Sequence, residues 1–66
     1  MKGIEYFAKM FVAKYHCGTD TEVLIKDFRR QCRNGTRDIP LDRQERIEKA
    51  IRTAHKNQQE MYRMFS

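Results

Sequence analysis

Lys26, Arg29, Arg30 and Arg33 recur at i, i+3, i+4 and i+7, and Arg37 follows shortly after. On a helix, at about 100° per residue, that spacing gathers four cations on one face. Four of the five are arginine, whose planar fork suits phosphate and carboxylate better than the point charge of lysine does. Such a row can neutralise several phosphates together and makes binding strongly salt-dependent. An acidic protein surface would be served by the same row. The bland alternative is that cations near a helix C-terminus complement its dipole and that any short helix has a charged outer face.

The rest of the chain makes the row informative. The net charge is +5. In residues 1–22, Lys2, Lys9 and Lys14 are balanced by Glu5, Asp20 and Glu22, and residues 38–66 carry six cations against five anions. Residues 23–37 set five cations against Asp27 alone. The basicity belongs to one element. Nucleic acid, or machinery that handles it, is the first expectation for a partner, with contacts through Lys26, Arg29, Arg30, Arg33 and Arg37.

The second binding candidate is the C-terminal Met61, Tyr62, Met64 and Phe65. Methionine adapts to irregular interfaces, and a polar run (HKNQQE, residues 55–60) separates this group from the apolar residues before it. It reads as a partner-binding or homodimerising segment, or else as a helix end that bends back to complete the core.

Catalytic chemistry has little to work with. The one serine is Ser66. His16 and Cys17 are sequence neighbours, and neighbours on a helix do not face one another. No acidic residue falls on an apolar face where its pKa would rise for acid–base work, and no glycine-rich phosphate loop is present. For metal, His16, Cys17, Cys32 and His55 lack the close paired spacing of structural zinc sites. A Cys17–Cys32 disulfide would have to span roughly 22 Å of helical rise, against a Cα limit of about 7 Å. We expect no enzyme activity, no cofactor, no metal and no small-molecule substrate.

The elements that must hold these groups are helical throughout. Ile4, Phe7, Ala8, Phe11 and Tyr15 predict a first helix over 3–17, with Tyr6, Met10 and Ala13 widening its apolar face and Gly18 as a positive-φ cap. Thr19 and Glu22 have capping-box spacing and open a second helix over 20–34. On its wheel Leu24, Phe28, Cys32 and Ile25 lie within about 100° of one another, with the cations opposite. Asn34-Gly35 ends it. Pro40 disfavours helix at Ile39, so 36–41 reads as a loop with Ile39 and Leu41 tucked inward. A third helix over 42–65 opens at an Asp42/Glu45 pair, and Ile47, Ile51, Ala54, Gln58, Met61 and Phe65 follow at coiled-coil rhythm. If continuous it is about 36 Å long, so its last turns should project or bend.

The predicted fold is all-α: a small three-helix domain, made of a helical hairpin (3–17 and 20–34) plus a longer C-terminal helix (42–65). The bulky core candidates are Ile4, Phe7, Phe11, Leu24, Ile25, Phe28, Leu41, Ile47, Ile51 and Phe65. The connector between the second and third helices is too long, and contains a proline, for the 3–4-residue turn of a helix-turn-helix. Nucleic-acid contact would therefore fall on the backbone rather than on bases. Sixty-six residues make one domain at most with a marginal core, which makes a homodimer a fair expectation. No apolar run is long enough to span a membrane and no signal-peptide pattern opens the chain, so cytoplasmic residence is expected. Size alone suggests a bacterial or phage origin. The functional expectation is a small basic accessory or regulatory protein that binds nucleic acid through the arginine face, or alternatively a protein–protein adaptor or inhibitor docking through the C-terminal helix end.

Overall fold

The computed structural model describes residues 3–35 and 39–65, which form three helices and no strand. They are α1 (Ile4–Val12), α2 (Thr21–Arg33) and α3 (Leu41–Phe65). Arg37 lies outside the described residues.

α1 starts after Gly3 and stops at Val12, not at Cys17. Its last turn tightens: Lys14 N–H bonds Phe11 O at 3.3 Å and Tyr15 N–H bonds Val12 O at 3.0 Å, the three-residue closure that commonly terminates a helix. The chain then passes through a second turn, Thr19 N–H to His16 O at 2.9 Å. Gly18 is not the positive-φ cap that the sequence suggests. Its amide donates to His16 Nδ1 at 3.0 Å, and the positive-φ glycine among the described residues is Gly35, with φ 78°.

α2 is capped by Asp20 rather than Thr19. The Asp20 carboxylate accepts from the Glu22 amide at 3.1 Å, and its charge also suits the positive end of the helix dipole. Asn34 and Gly35 close the helix as expected, with their amides on Arg30 O and Cys32 O. α3 begins directly after Pro40, where Gln44 Nε2 holds Ile39 O at 2.7 Å.

α3 runs unbroken through the HKNQQE segment. His55 explains why. It sits four residues after Ile51 on the same stripe and is fully buried. Its Nδ1 lies 2.8 Å from Thr21 Oγ1 at the start of α2.

The core consists of Ala8, Phe11 and Val12 from α1, Leu24, Ile25 and Phe28 from α2, and Ile47 and Ile51 from α3. Ile4, Phe7, Tyr15, Cys32, Ile39, Ala50 and Ala54 pack around it. α3 is the shared partner: α1 lies chiefly against it, and α2 packs on it beside α1. Between α1 and α2 the contact runs through Phe28, whose ring meets Phe7 at 6.1 Å and Phe11 at 6.0 Å edge to face, the geometry aromatic pairs favour.

Two of the core candidates are outside. Leu41 is 74% and Phe65 82% exposed. For Phe65 the cause is axial reach. At 1.5 Å per residue α1 covers about 14 Å and α2 about 20 Å, whereas α3 extends about 37 Å, close to the 38 Å long axis of the molecule. The C-terminal end of α3 outruns the helices that could cover it. Leu41, by contrast, lies beside Cys32 and Arg33 of α2 and is exposed because it sits about 120° around the helix from Ile47, off the buried stripe. Tyr6, Met10 and Ala13, which the sequence assigned to the widened face of the first helix, are also exposed.

Candidate functional site

Burial of Leu24, Ile25 and Phe28 sets the rotation of α2, so that Lys26, Arg29, Arg30 and Arg33 are all exposed. They are not equivalent. Arg29 forks onto Glu48 of α3, Nε to Oε2 at 3.1 Å and Nη2 to Oε1 at 2.7 Å. The carboxylate is mostly shielded, 15% exposed against 56% for the arginine side chain. Hydrogen bonding to Glu48, and then its charge, push the guanidinium above its ordinary pKa, so it stays charged. A reciprocal pair, Arg52 of α3 to Glu22 of α2 at 2.9 Å, ties the same two helices. Arg29 is therefore partly an interhelical clamp.

Arg30 approaches Asp27 on its own helix at 3.7 Å. The other oxygen of Asp27 accepts from the Tyr15 hydroxyl at 2.9 Å. Burial first, and then this hydrogen bond, push the Tyr15 hydroxyl above its ordinary value of 10.0. Lys26 and Arg33 lie between Arg29 and Arg30 on the wheel and form no ion pair among the described residues. The structure thus brings the four helical cations of the predicted row together, and two carboxylates with them. Asp27 was visible at i−3 from Arg30. Glu48 was not, because its approach depends on how α2 docks.

At the other end of the molecule, Gln59 Nε2 donates to Cys17 O at 2.9 Å. That bond ties α3 to the loop after α1, and Tyr62 and Arg63 border the same loop beside His16, Cys17 and Gly18. Every residue from 60 to 65 is exposed, and Met61, Tyr62, Met64 and Phe65 range from 59% to 82%. Tyr62 and Phe65 fall in the same angular sector of α3 as Ile47 and Ile51, taking about 100° per residue. The apolar stripe continues past the point where α1 and α2 stop covering it.

Between α1 and α3 a groove of about 550 Å³ is lined by Ile4, Glu5 and Lys9 on one side and by Arg46, Lys49, Ala50, Thr53, Ala54 and Asn57 on the other. Nothing in the periodicity of the chain singles it out, since it arises where short α3 side chains face the first turns of α1. The thiols of Cys17 and Cys32 are free and half-buried. Among the described residues no three His, Cys, Asp or Glu side chains are grouped to hold a metal ion, and no helix is long and apolar enough to cross a membrane. Compared with known proteins, the chain matches no family model, no curated protein and no solved structure.

Proposed function

We propose that this chain is a non-enzymatic accessory or regulatory module that docks onto a partner protein through the projecting C-terminal turns of α3. The observation that carries the reading is the exposure of Met61, Tyr62, Met64 and Phe65 on a helix whose preceding turns are anchored. A monomeric domain seldom leaves contiguous large apolar side chains in water without an interaction to make. Aromatic residues and methionine are the types enriched at the centres of interfaces. Presenting them on an already formed helix lowers the ordering cost of association.

Deletion of residues 61–66 tests this. The shortened chain should keep its helicity and cooperative melting, while partner capture at high salt, or self-association in sedimentation, is lost. Unfolding on deletion would mean that these turns are core, and undiminished capture would mean that the partner docks elsewhere.

A second reading, nucleic-acid binding through α2, is favoured by Lys26 and Arg33, which have no carboxylate partner among the described residues. The Glu48 pair also uses just two N–H donors of Arg29, out of the five that a guanidinium carries. Each duplex phosphate neutralised contributes a slope of about −0.9 to log affinity against log salt. Lys26→Glu with Arg33→Glu should therefore flatten the salt dependence of binding to generic duplex by roughly two phosphates' worth. Unchanged binding would remove this reading.

A further inference from the structure

The α1/α3 groove has the chemistry of a second docking surface, separate from the end of α3. Its floor is apolar and shallow: Ile4, Ala50 and Ala54, all half-buried. Thr53 and Asn57 continue the α3 wall with short side chains. Short side chains let another helix approach to the 8–10 Å separation typical of packed helices. Positions 50 to 57 extend about 10 Å along α3, or two helical turns. The trough is therefore long and narrow, the shape that accepts a row of side chains spaced i, i+3 or i+4, and i+7.

Its rim carries Lys9 on the α1 side and Arg46 and Lys49 on the α3 side, against Glu5 alone. None of these three cations is in an ion pair among the described residues. Positive charge thus flanks the apolar floor on both walls. We propose that this groove binds an amphipathic helix of a partner protein, with an apolar stripe flanked on both sides by Asp and Glu. Charge selects that occupant over a second copy of this chain. The projecting end of α3 carries Glu60 and Arg63, which cancel and offer the rim nothing.

The test uses the whole chain and two synthetic four-turn peptides with the same Leu/Ala stripe, one flanked by Glu and one by Lys. Labelled-peptide anisotropy should find the Glu-flanked peptide bound at least tenfold tighter than the Lys-flanked one, with affinity falling as salt rises. Amide shift changes should centre on Ala50, Thr53, Ala54 and Asn57. Arg46→Glu with Lys49→Glu should weaken binding at least tenfold. Thr53→Trp, which fills the trough without altering charge, should weaken it as much, and both variants should melt like the parent because these side chains are exposed. Binding should persist after deletion of residues 61–66, which separates this site from the end of α3. Equal binding of the two peptides would overturn the proposal, as would no binding, shifts centred on residues 61–65, or an indifferent Thr53→Trp. A duplex oligonucleotide occupying Arg46 and Lys49 in preference to the Glu-flanked peptide would overturn it too.

Discussion

Phe28 and Phe65 offer the same substitution at opposite extremes of burial. Phe28 is fully enclosed, with the rings of Phe7 and Phe11 about it at 6.1 and 6.0 Å. Truncating a buried phenylalanine to alanine costs about 3–5 kcal/mol, from lost transfer energy plus the cavity left behind. At about 0.05–0.15 kcal/mol per residue, a chain of this length has roughly 3–10 kcal/mol in total. Phe28→Ala should therefore leave a marginal fold or none. Phe65 is 82% exposed. Full burial of a phenylalanine is worth about 1.5–3 kcal/mol and Phe65 realises less than a fifth of that, so Phe65→Ala forfeits about 0.5 kcal/mol at most. Alanine's better helix propensity returns about the same amount. Urea unfolding followed by far-UV circular dichroism should place the Phe65→Ala midpoint on the parent's, with an unchanged slope. A loss above about 1 kcal/mol at Phe65, more than surface changes usually produce, would mean that the last turns pack on the body. The docking role assigned to them would then fail.

The remaining predictions concern the bonds that hold the helices in place. A double-mutant cycle on Arg29→Ala and Glu48→Ala should give a small favourable coupling, since the arginine is more than half exposed and water screens such pairs, and it should shrink with added salt. His55→Ala removes a fully buried ring whose Nδ1 meets Thr21 and whose Nε2 has no partner among the described residues, and should cost about 2–4 kcal/mol in chemical unfolding. His55→Leu with Thr21→Val removes both ends of that hydrogen bond and the orphaned nitrogen, and should be far milder. A cost equal to His55→Ala would refute the account. For Tyr15, the folded chain holds the phenolic proton more tightly than the unfolded chain does. Stability is therefore full below the ordinary value of 10.0 and falls as pH rises through and beyond it. Tyr15→Phe should flatten that alkaline limb of the stability profile, and an equally steep limb would assign it to another group.

Helical spacing carries angular information, and what it could settle is angular. Leu24, Phe28 and Ile25 share a face because of residues within a few positions of one another, so the inward side of α2 was legible without its partners. Axial and tertiary facts were not. α1 stops at Val12, and the stretch expected to carry it on to Cys17 bonds instead through Tyr15 and Cys17 to Asp27 and Gln59, 12 and 42 residues away; no local signal announces those bonds. Phe65 belongs to the correct stripe and is still outside, because coverage depends on how far α1 and α2 extend along α3. Arg29 sits at the edge of the polar face, where the direction of docking decides whether a guanidinium meets solvent or a neighbouring carboxylate. The groove exists because four short side chains of α3 come to lie beside α1, a fact about two elements that neither states alone. These displacements have one physical origin. In a three-helix domain the longest helix cannot be covered along its whole length, so apolar residues beyond its partners become available for binding. Charges at the helix seams are drawn the other way, into holding the bundle together. The spacing of this chain therefore assigns its arginines to recognition and leaves its terminal phenylalanine open between core and docking segment, while the packing moves Arg29 toward support and leaves Phe65 exposed.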